Sequence, residues 1–168
     1  MKRIVAWMML MALLVICLAG CQNNQYSTDK IEPSEMTVTC GGVTIQPERG
    51  TTYWKHLIGK KEWYEVEIEK DLPNMRKEDL PCLEFSVSDK KNVVTMEFDI
   101  EPIDIFVLRW EEDAWDDITA ESNDVYVKGN TFELENENGI YEIWARWYTS
   151  EGNQLQGSAY YSFYTKKV

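Results

Sequence analysis

The chain predicts an all-β sandwich, and three observations carry that prediction. From Met36 onward apolar and polar residues alternate with period two. Turn residues interrupt the alternation at short intervals, and no window carries a helical stripe of apolar residues. Aromatic residues make up 12% of the 168 positions, which excludes disorder for most of the chain.

The alternation predicts strands over 36–39, 42–47, 51–57, 62–69, 83–87, 93–100, 104–110, 125–127, 131–135, 140–149 and 158–166. Between them, Gly41-Gly42, Gly59-Lys60, Lys128-Gly129-Asn130, Asn138-Gly139 and Glu151-Gly152-Asn153 have the chemistry of turns. Pro73, Pro81 and Pro102 also fall between strands, where a missing N–H costs nothing. The stretch 71–82, with two prolines and mixed charges, is the best internal boundary.

The last two strands are the clearest. Tyr141, Ile143, Ala145 and Trp147 face one way, and Glu142, Trp144, Arg146 and Tyr148 the other. In the final strand Ala159, Tyr161 and Phe163 alternate with Ser158, Tyr160, Ser162 and Tyr164. Phe85, Val94, Met96, Phe98, Phe132 and Leu134 supply the opposing core. For 104–110 the inward set is either Ile105 and Val107 or Phe106, Leu108 and Trp110; with both faces apolar, that strand is expected to be central. Asn138-Gly139-Ile140-Tyr141 looks like the tyrosine corner of immunoglobulin-type sandwiches, though the same residues also suit a plain hairpin. The expected organisation is therefore a β-hairpin extension with its linker over 36–82, packed against an immunoglobulin-like β-sandwich over 83–168.

A wider pattern runs through these strands. It comprises Val93-Val94-Thr95-Met96-Glu97-Phe98, Glu101-Pro102-Ile103-Asp104-Ile105, Arg109-Trp110 and Trp115. It continues through 125–130, Gly139-Ile140-Tyr141-Glu142, Ala145-Arg146-Trp147 and Gly157-Ser158-Ala159-Tyr160-Tyr161-Ser162-Phe163-Tyr164. Together these are similar to an uncharacterised extracellular β-domain of clostridial and related Gram-positive bacteria. That domain looks to occur in small lipoproteins and as the outer part of membrane proteins akin to β-lactam-sensing metalloproteases. The resemblance covers 40–166 and implies an immunoglobulin-like domain. It brings no catalytic or binding residue to carry over, and the protease's metal motif is missing from this chain.

The first twenty-one residues give an address. Met1-Lys2-Arg3 is basic, an apolar run extends from Ile4 to Cys17, and Leu18-Ala19-Gly20-Cys21 closes it. These are the parts of a secretory signal, and the ending resembles the bacterial lipoprotein box. The resemblance implies removal of 1–20, a diacylglycerol on Cys21 and acylation (palmitate or a similar chain) of the new amino terminus. The apolar run is shorter than the ~20 residues a spanning helix needs. Residues 21–35 are polar and without periodicity, and read as a lipidated flexible tether with ends on the order of 20 Å apart. The expected location is the extracytoplasmic face of the cell membrane, held there by lipid.

Without residues 1–20, 15 basic residues oppose 29 acidic ones, a net charge of about −14. Such a chain repels nucleic acid, so no nucleic-acid partner is expected. Cys40 and Cys82 remain after processing. In an exported domain they permit one disulfide, worth about 4 kcal/mol in the chain-entropy model, or they stay as two buried thiols.

Little in the sequence carries catalytic chemistry. His56 is the single histidine, and neither metal-ligand spacing nor a nucleophile elbow accompanies it; it reads as filling a strand face. No cofactor is expected and no enzyme activity, with an envelope hydrolase as the outside reading, because 29 acids make some close carboxylate pair inevitable. The acidic run contributes Glu111, Asp113, Asp116 and Asp117 as weak calcium candidates, against the plainer reading of a solvated turn. The best candidate site is the outer face of the last two strands: Trp144, Arg146, Tyr148, Tyr160 and Tyr164. The alternative is that a hairpin carrying Trp54, Trp63 and Tyr64 covers that face. The expected function is recognition of an envelope protein or glycan, with a regulatory ectodomain acting on a membrane sensor or protease as the alternative.

Overall fold

The structure is a computed structural model describing residues 29–59, 61–70, 76–86, 92–113, 120–149 and 154–168. It is an all-β sandwich of two sheets. The first half supplies β1 (Met36–Cys40), β2 (Val43–Ile45), β3 (Glu48–Ile58) and β4 (Glu62–Ile68). After a 3-10 turn at Lys77–Asp79 come β5 (Cys82–Phe85), β6 (Val93–Phe98), β7 (Asp104–Glu111) and β8 (Asn123–Val125). The chain ends with β9 (Val127–Lys128), β10 (Thr131–Glu133), β11 (Gly139–Tyr148) and β12 (Gln156–Lys167). Every strand expected from the alternation has a counterpart.

One sheet runs β2-β1-β6-β10-β9, the other β4-β3-β12-β11-β7-β8, with β5 parallel to the far half of β12. In immunoglobulin lettering, β6, β10 and β9 hold the B, E and D positions, and β7, β11 and β12 hold C, F and G. The single strand expected at 125–127 is two: the chain leaves one sheet after Val125 and enters the other at Val127, turning about the exposed Tyr126. For 104–110 the core side is Ile105, Val107 and, unexpectedly, Arg109. β7 is paired on both sides, by β11 and β8.

The core lies between the sheets. Val38, Val94, Met96 and Phe132 meet Leu83, Tyr141, Ile143, Ala145, Tyr161 and Phe163. Trp54 and Trp147 pack edge to face at 5.2 Å. Opposite Trp54 only glycine fits, since a Cβ at Gly157 would stand 2.4 Å from the Trp54 ring. The Tyr141 hydroxyl accepts the Glu135 backbone N–H at 3.0 Å, the bond that makes a tyrosine corner.

The N-terminal region differs from the expectation in two ways. Residues 36–68 do not form an extension laid against a finished sandwich: β1 pairs with β6 and β3 pairs with β12, so they add strands to both sheets. Unpaired edges of β6 and β12 leave backbone groups to satisfy, and these strands satisfy them. Second, the tether expected over 21–35 is docked from residue 29 onward. Trp54 Nε1 donates to the Ile31 carbonyl at 2.8 Å, and the Ile31 N–H donates to His56 Nε2 at 3.1 Å. Tyr161 donates to the Ser34 carbonyl at 2.6 Å, and Tyr64 to the Glu32 carboxylate at 3.0 Å. His56 thus fills a strand face as expected and also holds a backbone. Residues 21–28, Cys21 included, lie outside the described residues. Among the described residues no helix is long and apolar enough to cross a membrane.

Candidate functional site

The outer face of the β3/β12/β11/β7 sheet carries all five aromatic-face residues the sequence singled out. Strand pairing sets Trp144 between Phe106 on β7 and Tyr160 on β12. The three rings stack: Phe106 to Trp144 at 5.1 Å and 29°, Trp144 to Tyr160 at 5.8 Å and 4°. Arg146 lays its guanidinium over Phe106 and Trp144, 5.1 Å from each ring centre, and pairs with Asp104 at 2.6 Å. Ring faces in this ladder are turned to one another, so it braces three strands and offers little free face to a ligand.

The two ends of this face differ. At the Ile140 end, Leu80 comes down on Ile140, Trp110, Tyr160 and Tyr164. The alternative, cover by a hairpin carrying Trp54, Trp63 and Tyr64, does not occur. Their hairpin lies beside β12 in the same sheet, Trp54 faces the core, and the linker supplies the cover instead. Tyr164 is committed further, donating to Glu112 at 3.0 Å. Glu112 also accepts from Lys77 at 2.8 Å and Asn138 at 3.1 Å, and its carboxyl is held below the usual range, first by the Lys77 bond. Burial and the bond to Glu112 push the Tyr164 hydroxyl up to about 12.

At the Tyr148 end the surface is open. Tyr53 is 43% exposed and Tyr148 57%, and neither stacks on another ring among the described residues. They flank a shallow depression of ≈ 450 Å³ whose polar lining is Asp104, Arg146, Gln156 and Ser158. Of the five expected residues, Arg146 and Tyr148 line this depression, Trp144 and Tyr160 belong to the ladder, and Tyr164 belongs to the covered end. Tyr53, Asp104, Gln156 and Ser158 were not expected. Tyr53 reaches the site through the β3–β12 pairing, between segments a hundred residues apart in sequence.

Of the calcium candidates, the two that are described, Glu111 and Asp113, are not gathered into a metal cluster. Glu111 is bonded to Arg109 at 2.5 Å, and Asp113 is exposed. Asp116 and Asp117 lie outside the described residues, and among those described no cluster of three metal-ligating side chains occurs. Cys40 and Cys82 are not bridged. Cys40 points into the core from β1, whereas Cys82 points outward from β5, so Cys82 is exposed and not buried as the thiol alternative expected. Burial pushes both thiols up, which leaves neither poised as a nucleophile.

Compared with protein-family models, with curated proteins and with solved structures, the chain matches none.

Proposed function

We propose that this protein is a lipid-anchored, extracytoplasmic, non-catalytic recognition domain that binds a neutral glycan of the cell envelope between Tyr53 and Tyr148. The observation that supports the reading is the depression itself: two tyrosines with unstacked ring faces beside a floor of mixed donors and acceptors. A pyranose ring has C–H-rich faces that pack on aromatic rings, and hydroxyls that both donate and accept. Asp104 accepts, Arg146 donates, and Gln156 and Ser158 do either. A net charge of about −14 on the processed chain disfavours a polyanionic polymer, which is why the glycan is neutral.

The test is retention of the mature chain on purified wall polysaccharide, with soluble sugar as competitor, beside Tyr53→Ala and Tyr148→Ala variants of verified fold. Retention that sugar competes away and both variants lose is the expected result. Equal retention by all three sinks this site. A regulatory partner protein is the second reading, favoured by the exposed Ile103 and Phe106 beside the depression. It predicts one crosslinked envelope protein and no competition by sugar.

A further inference from the structure

The docked residues 29–35 fix where the chain enters the sandwich. Ile31 is bonded to His56, Lys30 sits over the Tyr64 ring at 5.1 Å, and His56 pairs with Tyr64 across β3 and β4. Two register positions further on, at Ile58 and Glu62, the hairpin turns. Cys21 is eight positions before Asp29, a span of at most about 28 Å.

We infer that the tip of the β3–β4 hairpin is the surface on which the protein rests against the lipid bilayer, with Trp63 in the headgroup region and Lys55 beside it. The inference rests on the proposed lipid anchor at Cys21. Trp63 is 40% exposed, although it stands next to the turn where a large apolar side chain has no core to fill. The Lys55 ammonium lies 4.7 Å from its ring centre, and the exposed Lys61 is two residues before it. An amphipathic indole flanked by lysines is the side-chain set that suits the membrane–water boundary. Glu62 and Glu65 balance Lys55 and Lys61, so the described tip is close to neutral within a strongly acidic chain.

Strand register gives the orientation. The hairpin tip lies beyond the Tyr148 end of β11, whereas Glu111, Glu112, Glu135 and Glu137, paired with Arg109 and Lys77, gather at the Gly139 end. A ten-residue strand separates the two ends by about 34 Å. The Asp29 carbonyl lies 3.4 Å from His56 Nε2, close to the tip, so a lipid on Cys21 brings this end of the domain to the bilayer and holds the Gly139 end away from it. The depression between Tyr53 and Tyr148 then lies on the membrane-proximal half of the domain.

The test uses the full lipidated protein in phosphatidylcholine–phosphatidylglycerol vesicles whose acyl chains are brominated. We expect quenching of tryptophan emission in the wild type and loss of most of it in Trp63→Phe, a substitution at an exposed position. Equal quenching in both, or none in the wild type, overturns the orientation when mass spectrometry finds Cys21 diacylglycerated. An unmodified Cys21 overturns the anchor reading and this orientation with it.

Discussion

The two ends of β11 are built by the same alternation and serve opposite purposes. At the Gly139 end the polar groups are engaged with one another: Arg109 is buried yet paired with Glu111, Glu135 and Glu137, and Glu112 gathers Lys77, Asn138 and Tyr164. At the Tyr148 end, ring faces and polar atoms line an open depression. The difference comes from what crosses the sheet. Leu80 and the turn before it cover one end, and no described segment covers the other. Under the proposed function, stability and recognition are separated along one strand, and substitutions at the two ends should separate in the same way.

The largest effect belongs to Arg109. Its guanidinium is 1% exposed and donates to Glu111 and the Asn138 carbonyl, with Gly139 packed against its Nε. Burial opposes its charge, but the neighbouring carboxylates outweigh that and hold it protonated. Arg109→Ala removes these charge-assisted bonds and opens a cavity beside Tyr141, an expected loss of about 3 kcal/mol in urea unfolding. Arg109→Met keeps much of the volume and should recover about 1 kcal/mol of that loss. Full recovery by Met would mean the residue acts by packing alone. Glycan retention should follow the folded fraction and nothing else.

A smaller effect is pH-dependent and confined to the same end. The Glu112 carboxyl is lowered in the folded state, so its contribution is complete above the usual carboxylate range and is lost as pH falls through the depressed value. Tyr164 moves the other way: raised from 10.0 to about 12, it stabilises fully below its ordinary value and loses that contribution as pH rises towards 12. Tyr141 and Tyr161 are also raised by burial and steepen the alkaline loss. Urea stability against pH should therefore fall on both sides, and Tyr164→Phe should flatten the alkaline limb. Identical alkaline limbs in the two proteins would mean that the Tyr164–Glu112 bond contributes nothing.

Period-two alternation made the strands legible, and with them the shared face of Trp144, Arg146, Tyr148, Tyr160 and Tyr164. What alternation cannot convey is which distant strand lies alongside. Tyr53 and Gln156 meet because β3 pairs with β12, a non-local choice with no local signature. β7 stayed open for another reason: both its faces are apolar, and its inward row includes a charged residue, Arg109, so counting apolar side chains could not choose between them. The docked segment 29–35 was hidden by composition. Its order comes from backbone bonds to His56, Trp54 and Tyr161, and a polar stretch gives no sign of a partner that binds its carbonyls.

The smallest effect on stability is the sharpest test of the comparison. Tyr148 is 57% exposed, and its ring stacks on no other among the described residues. Removing it leaves no cavity in the core and no stranded buried donor, so Tyr148→Ala should change unfolding free energy by less than about 0.5 kcal/mol. The same substitution should abolish most retention on wall polysaccharide, because the depression loses one of its two walls. A large stability loss would show that the open end is braced after all and would dissolve the contrast between the two ends of β11. An unchanged stability with unchanged retention would leave the contrast in folding intact and move recognition off this end of the sheet.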